Sequence, residues 1–155
     1  MQFQNTIAYG TFLNTGGQVT LTNATWTALA FVPTETLVKN VNVPNGATTF
    51  KIQVQETGMY WVEFSFIAEG GDSKSYSIRP YVNNAVYGSG GTGMEIKFYQ
   101  QPTTQKYEVS THGLFALTKD DVLEWKIYVP TASATNFYIN YLKMNILNLQ
   151  QIGLH

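Results

Sequence analysis

Cysteine is missing from all 155 residues, so no disulfide braces the fold, and the redox compartment is left open. Charge is scarce too. Asp, Glu, Lys and Arg make up 12% of the chain, against roughly a quarter in ordinary globular proteins. The net charge is −1 and the nine basic residues are scattered, which argues against a nucleic-acid partner. No apolar run approaches the ~18 residues of a membrane span, so membrane insertion is not expected. The first residues, MQFQNTIAYGTFLN, lack the basic start and long apolar core of a secretory signal and carry no lipidation motif. Synthesis in the cytosol is the expectation. Helical periodicity is absent almost throughout.

Aromatic residues are what the chain has in abundance, with 10 Tyr and 9 Phe. They fall in short runs rich in Val, Ile and Thr, divided by turn signals such as NTGG at 14–17, VPNG at 43–46, EGGD at 69–72 and TKDD at 118–121. This pattern predicts one all-β domain over 1–155, a sandwich or barrel. Strands are expected near 6–13, 18–21, 25–31, 48–55, 59–68, 75–82, 94–100, 106–117, 122–129 and 136–149. Short ends, about 1–5 and 150–155, are expected to lie outside the core strands.

The strands differ in the number of faces that need cover. In 122–129, Leu123, Trp125, Ile127 and Val129 alternate with Val122, Glu124, Lys126 and Tyr128, giving one dry face and one mostly wet face. In 59–68, Tyr60, Val62, Phe64 and Phe66 share one face while Met59 and Trp61 lie on the other. In 136–149, Phe137, Ile139 and Tyr141 point one way, and Tyr138, Leu142, Met144 and Ile146 the other. Two strands apolar on both faces exceed what one sandwich core can cover. A second copy of the chain is the expected cover. An aromatic, weakly charged surface would otherwise favour aggregation.

Chemistry-bearing patterns are thin. Gly88, Gly90 and Gly93 satisfy G-x-G-x-x-G, but MEIKFYQQ follows and reads as a strand, where a dinucleotide site needs a helix. A strand connection is the better reading, and no cofactor is expected. His112 and His155 are the only histidines, one in a predicted strand and one at the end, so no intrachain metal pair or catalytic triad is suggested. A threefold axis could gather three copies of His112, although a surface histidine is the simpler reading. Asp120 and Asp121, like Asp72, suit turns better than a cation site. Trp26, Trp61 and Trp125 are candidates for stacking on sugars, yet each falls in an alternating strand that favours burial. No metal and no catalytic set is expected, and the protein reads as a non-enzyme.

Gly58-Met-Tyr60-Trp-Val62-Glu-Phe64 resembles the G-x-Y-x-F/V-x-F strand of the tumour necrosis factor-like superfamily, which includes the globular head of complement's recognition subunit. TTFKIQVQETG before it, RPYVNNAVYG after it, GLFALTKDDVLEWKI with Phe115, Leu117, Asp121, Leu123 and Trp125, and the closing TNFYINYLKMNIL resemble further segments in the family order. Asp120 stands where the family usually has glycine. The resemblance spans most of residues 25–149 and implies a ten-stranded jelly roll that forms a homotrimer. It also implies an inner sheet holding the G-x-Y strand and the last strand, with the Trp125 strand in the outer sheet. Tyr60, Trp61, Val62, Phe64, Phe115, Tyr138, Tyr141 and Met144 become candidates for the inner-sheet core or trimer interface. Asp72 and Lys74 in EGGDSKS, with Ser89 and Thr92 in GSGGTG, become candidate contact-loop residues.

Low charge, no cysteine and abundant Asn, Thr and Gly look more like jelly-roll heads on bacteriophage fibres, spikes and capsid decorations, or on bacterial spore surfaces, than like a hormone or complement head. The leading expectation is therefore a non-enzymatic, virion-surface trimer, attached to a virion protein through its termini and contacting a host-surface glycan or protein. The alternatives are a carbohydrate-binding module and a secreted complement-like or cytokine-like ligand.

Overall fold

The computed structural model describes residues 7–70, 74–88, 95–100, 106–131 and 137–149. Every element in them is a strand or a connection. The strands are β1 (Tyr9–Gln18), β2 (Thr27–Ala28), β3 (Thr34–Lys39), β4 (Val41–Asn42), β5 (Lys51–Val54), β6 (Gly58–Gly70), β7 (Lys74–Val82), β8 (Ala85–Val86), β9 (Ile96–Gln100), β10 (Lys106–Leu117), β11 (Val122–Tyr128) and β12 (Phe137–Asn148).

They form two antiparallel sheets. The first runs β10-β6-β12-β1-β3; the second runs β4-β5-β11-β7-β8, with β2 also paired to β11 and β9 to β7. The G-x-Y strand and the last strand are neighbours in the five-stranded sheet, and the Trp125 strand lies in the other, as the resemblance implies. Twelve strands stand among the described residues rather than ten, because β3, β4 and β8 had no expected counterpart. The strand expected at 18–21 is mostly connection, tied to β12 by the Val19 amide donating to the Phe137 carbonyl at 2.8 Å.

Alternation fills the space between the sheets. Tyr60, Val62, Phe64, Phe66 and Ala68 on β6 face Leu123, Trp125 and Ile127 on β11, all 2% exposed or less. Their rings form a continuous column. Phe64 stacks on Trp125 at 4.9 Å and 9°, Phe66 meets Phe98 at 5.9 Å, Phe98 lies 5.5 Å from Tyr76, and Tyr76 stacks on Phe137 at 4.4 Å. Such ring pairs add on the order of 1 kcal/mol each to the burial term.

β12 corrects the expectation of two apolar faces. Phe137 and Ile139 are buried, and so are Leu142, Met144 and Ile146. All five reach the same core because the strand carries an extra residue: Asn140 pairs with Ile67, but Lys143 pairs with Ser65. The bulge sits at Tyr141, whose φ of 55° breaks the alternation and turns its ring outward to 67% exposure. β1 kinks beside it at Gly16, φ 80°, where an added Cβ would stand 1.9 Å from the Ile139 carbonyl oxygen. Glycine is therefore obligatory at that point.

Candidate interaction surface

The outward face of the five-stranded sheet is where side chains with no core to enter collect. Registry between strands aligns them in rows. Leu114 on β10 lies opposite Trp61 on β6, Trp61 opposite Leu147 on β12, and Leu147 opposite Tyr9 on β1. Leu114 is 48% exposed and Tyr9 39%, with Trp61 and Leu147 half-buried between them. An apolar row therefore crosses four strands on an open sheet.

The next row is polar: His112, Glu63, Asn145 and Thr11 stand opposite one another in that order. It is internally bonded. The Thr11 hydroxyl donates to Asn145 Oδ1 at 2.8 Å, and the Trp61 indole donates to Glu63 Oε1 at 3.0 Å. The His112 ring stacks on Trp61 at 5.0 Å and 29°. Below it, Leu13 is 39% exposed and, with Thr34, Thr36 and Tyr141, lines a shallow groove of about 440 Å³.

The candidates named from sequence divide between the two sides of this sheet. Tyr60, Val62, Phe64, Phe115 and Met144 are core residues, 1% exposed or less. Trp61, Tyr138 and Tyr141 are not buried in it, and Trp61 and Tyr141 stand on the outward side. Tyr60 is fixed from two directions: its hydroxyl donates to the Glu56 carbonyl at 2.5 Å, and the Asn148 carboxamide bonds the phenol oxygen. Burial pushes the phenol above its ordinary value, with the nearby Glu56 charge adding to that and the two hydrogen bonds opposing it.

Lys74 opens β7, while Asp72, Ser89 and Thr92 lie outside the described residues, as do Gly90, Gly93, His155 and the segments 1–5 and 150–155.

Asp120 and Asp121 form a turn. Asp120 has φ 76°, and both Asp121 oxygens are engaged, accepting from Asn83 Nδ2 and from the Thr118 amide at 2.8 Å each. No group of three or more His, Cys, Asp or Glu able to hold a metal occurs among the described residues, and no helix there is long and apolar enough to cross a membrane. Trp125 is core, whereas Trp26, just before β2, packs on the outward face of the seven-stranded sheet at 5.0 Å from Tyr128. Sequence reading missed the bulge at Tyr141, although the shift of apolar parity between Ile139 and Leu142 was its signal.

No protein-family model matches the chain, and no curated protein sequence does. Solved structures do match. Eiger TNF from S. frugiperda superposes with a TM-score of 0.60 at 12% identity, covering 92% of each chain. Murine APRIL gives 0.56 at 13% identity, covering 91% of this chain and 99% of that one. The globular domain of zebrafish complement 1qA protein gives 0.54 at 13% identity, covering 92% and 97%. The superpositions cover nearly the whole chain, and its two antiparallel sheets have the fold of a TNF-like jelly roll.

Proposed function

We propose that the protein acts without catalysis, as a homotrimer that covers the outward face of its five-stranded sheet with neighbouring copies and presents the rest of its surface to a partner. The carrying observation is the apolar row Leu114–Trp61–Leu147–Tyr9, flat and partly exposed on a chain poor in charge. A patch of this kind on an open sheet is removed from water most simply by self-association. Threefold symmetry comes from the family resemblance and from the fold held in common with the TNF-like structures. Three identical surfaces then strengthen weak contacts through avidity.

Within that reading we place the trimer on a particle surface such as a virion. Support comes from composition: sparse charge, no cysteine and many Asn, Thr and Gly. Co-sedimentation of the chain with purified particles, and its loss from those particles on gene deletion, tests that placement.

Light scattering coupled to size exclusion tests the assembly. A mass three times 17.3 kDa at micromolar concentration is expected. Leu114→Arg puts a charge at the exposed β10 end of the row and should yield folded monomers with unchanged far-UV circular dichroism. A monodisperse wild-type monomer, or an unperturbed Leu114→Arg trimer, overturns the proposal.

A further inference from the structure

The outward face of the seven-stranded sheet, on the opposite side of the molecule from the apolar row, carries a second unusual group of side chains. Trp26, Arg79, Tyr81, Lys126 and Tyr128 are far apart in sequence, and strand pairing gathers them: Lys126 lies opposite both Arg79 and Ala28, and Tyr128 opposite Ser77. The Arg79 guanidinium sits 3.8 Å from the Trp26 ring centre, and Lys126 Nζ 4.5 Å from that of Tyr81. Arg79 also donates Nε and Nη2 to the Tyr81 hydroxyl at 3.2 and 2.9 Å. Tyr81 is consequently only 6% exposed although it points away from the core. These contacts fix the cations and rings in place before any ligand arrives, which limits the entropy lost on binding.

Positive charge on this platform is incompletely neutralised. The ion pair found among the described residues joins Arg79 Nη1 to Glu95 at a loose 3.9 Å, and no carboxylate there pairs with Lys126 or Lys97. Glu124, on the same face, is 8% exposed and held by the Thr49 hydroxyl. Relief is supplied by small residues: Ser77 lies between Tyr128 and Lys97, and Ser75 lies opposite Tyr99, which is 48% exposed. The result is a strip of serines flanked by Tyr128 and Trp26 on one side and by Lys97 and Tyr99 on the other.

We propose that this strip binds an acidic saccharide, a sugar ring bearing a carboxylate or a sulfate ester. The unpaired cations supply charge complementarity to the anion, the flanking rings offer apolar surface to the C–H faces of a sugar, and the serine hydroxyls can exchange hydrogen bonds with ring hydroxyls. This surface is independent of the self-association face, so either assignment can fail alone.

Binding is measured on the full chain by calorimetry and by glycan array, using oligogalacturonate as the carboxylate probe, heparin oligosaccharide as the sulfate probe and neutral galactan oligomers as the control. Binding to one or both acidic probes, at least tenfold tighter than to galactan and weakened by salt, is expected. The double variant Lys97→Gln, Lys126→Gln keeps the rings and should lose at least tenfold in affinity. Ser77→Gln puts a longer side chain between Tyr128 and Lys97 without altering charge and should lose as much. All three substitutions are at surface strand positions, and size exclusion verifies that the oligomeric state is unchanged. Equal affinity for galactan, no binding at millimolar acidic probe, or binding only to anionic phospholipid vesicles overturns the proposal. So does full affinity in Ser77→Gln, which would reduce the strip to a plain cationic patch.

Discussion

The Asn148 carboxamide on β12 occupies the space that a side chain at Gly58 on β6 would need: an added Cβ would stand 2.5 Å from Asn148 Nδ2. Asn148 is 1% exposed and bonds the Tyr60 phenol, so the glycine at the head of the G-x-Y strand exists to admit a polar clamp from the neighbouring strand. Gly58→Ala should therefore destabilise by about 1–3 kcal/mol, the usual range for overpacking. Adding Asn148→Ala restores space, so the double variant should be less destabilised than the sum of the single ones. Urea unfolding of the four proteins measures that coupling, and strict additivity would contradict it.

Tyr60 gives a pH-dependent test. Its folded-state pKa lies above the ordinary value of 10.0, mainly through burial. Stability linked to this group is fully present below about pH 10 and is lost as the pH rises through the raised folded value, since the unfolded chain releases the proton first. Tyr60→Phe removes that dependence together with the bond to the Glu56 carbonyl, worth about 1 kcal/mol. Wild type should be the more stable protein at pH 7, and its advantage should shrink above pH 10. A constant gap between the two urea midpoints across that range would contradict the assignment.

Phe64 is the hub of the ring column, touching Phe50 at 5.5 Å, Phe66 at 5.7 Å and Trp125 at 4.9 Å. Truncation of Phe64 to alanine should cost about 3–5 kcal/mol. A loss below about 1 kcal/mol in the same unfolding assay would be incompatible with a packed column.

Leu37 on the edge strand β3 is 81% exposed and has φ 51°, a left-handed conformation that costs a branched residue about 1–2 kcal/mol. Asparagine tolerates that geometry and loses no buried area there. Leu37→Asn should raise the thermal midpoint, whereas Leu37→Ala, which keeps a Cβ in the same conformation, should gain less. An equal response to both would show that backbone strain is not the cause.

Alternation made most of the core readable in advance. Tyr60, Val62, Phe64 and Phe66 could be placed on one side of their strand because a two-residue period survives in the sequence, and the same holds for Leu123, Trp125 and Ile127. β12 was misread because a parity change has two causes, a second buried face or an inserted residue, and only pairing with β6 tells them apart. β3 left no apolar pattern at all: its TETLVK is exposed except for Val38, and backbone pairing to β1 defines the strand. The outward apolar row proposed for self-association was half legible. Trp61 stood out within its own strand, but Leu114, Leu147 and Tyr9 become its neighbours only through register. The cationic strip was invisible for the same reason, its members lying between residues 26 and 128.

The placement of the three tryptophans gives the molecule a built-in set of optical reporters. Trp125 is sealed between the sheets, Trp61 lies against His112 on one outer face, and Trp26 lies under Arg79 on the other. Indole emission responds to the polarity around the ring. Variants that retain a single tryptophan would therefore follow three separate events by fluorescence: Trp125 the loss of the folded core, Trp61 the proposed joining of copies, and Trp26 the proposed arrival of a ligand.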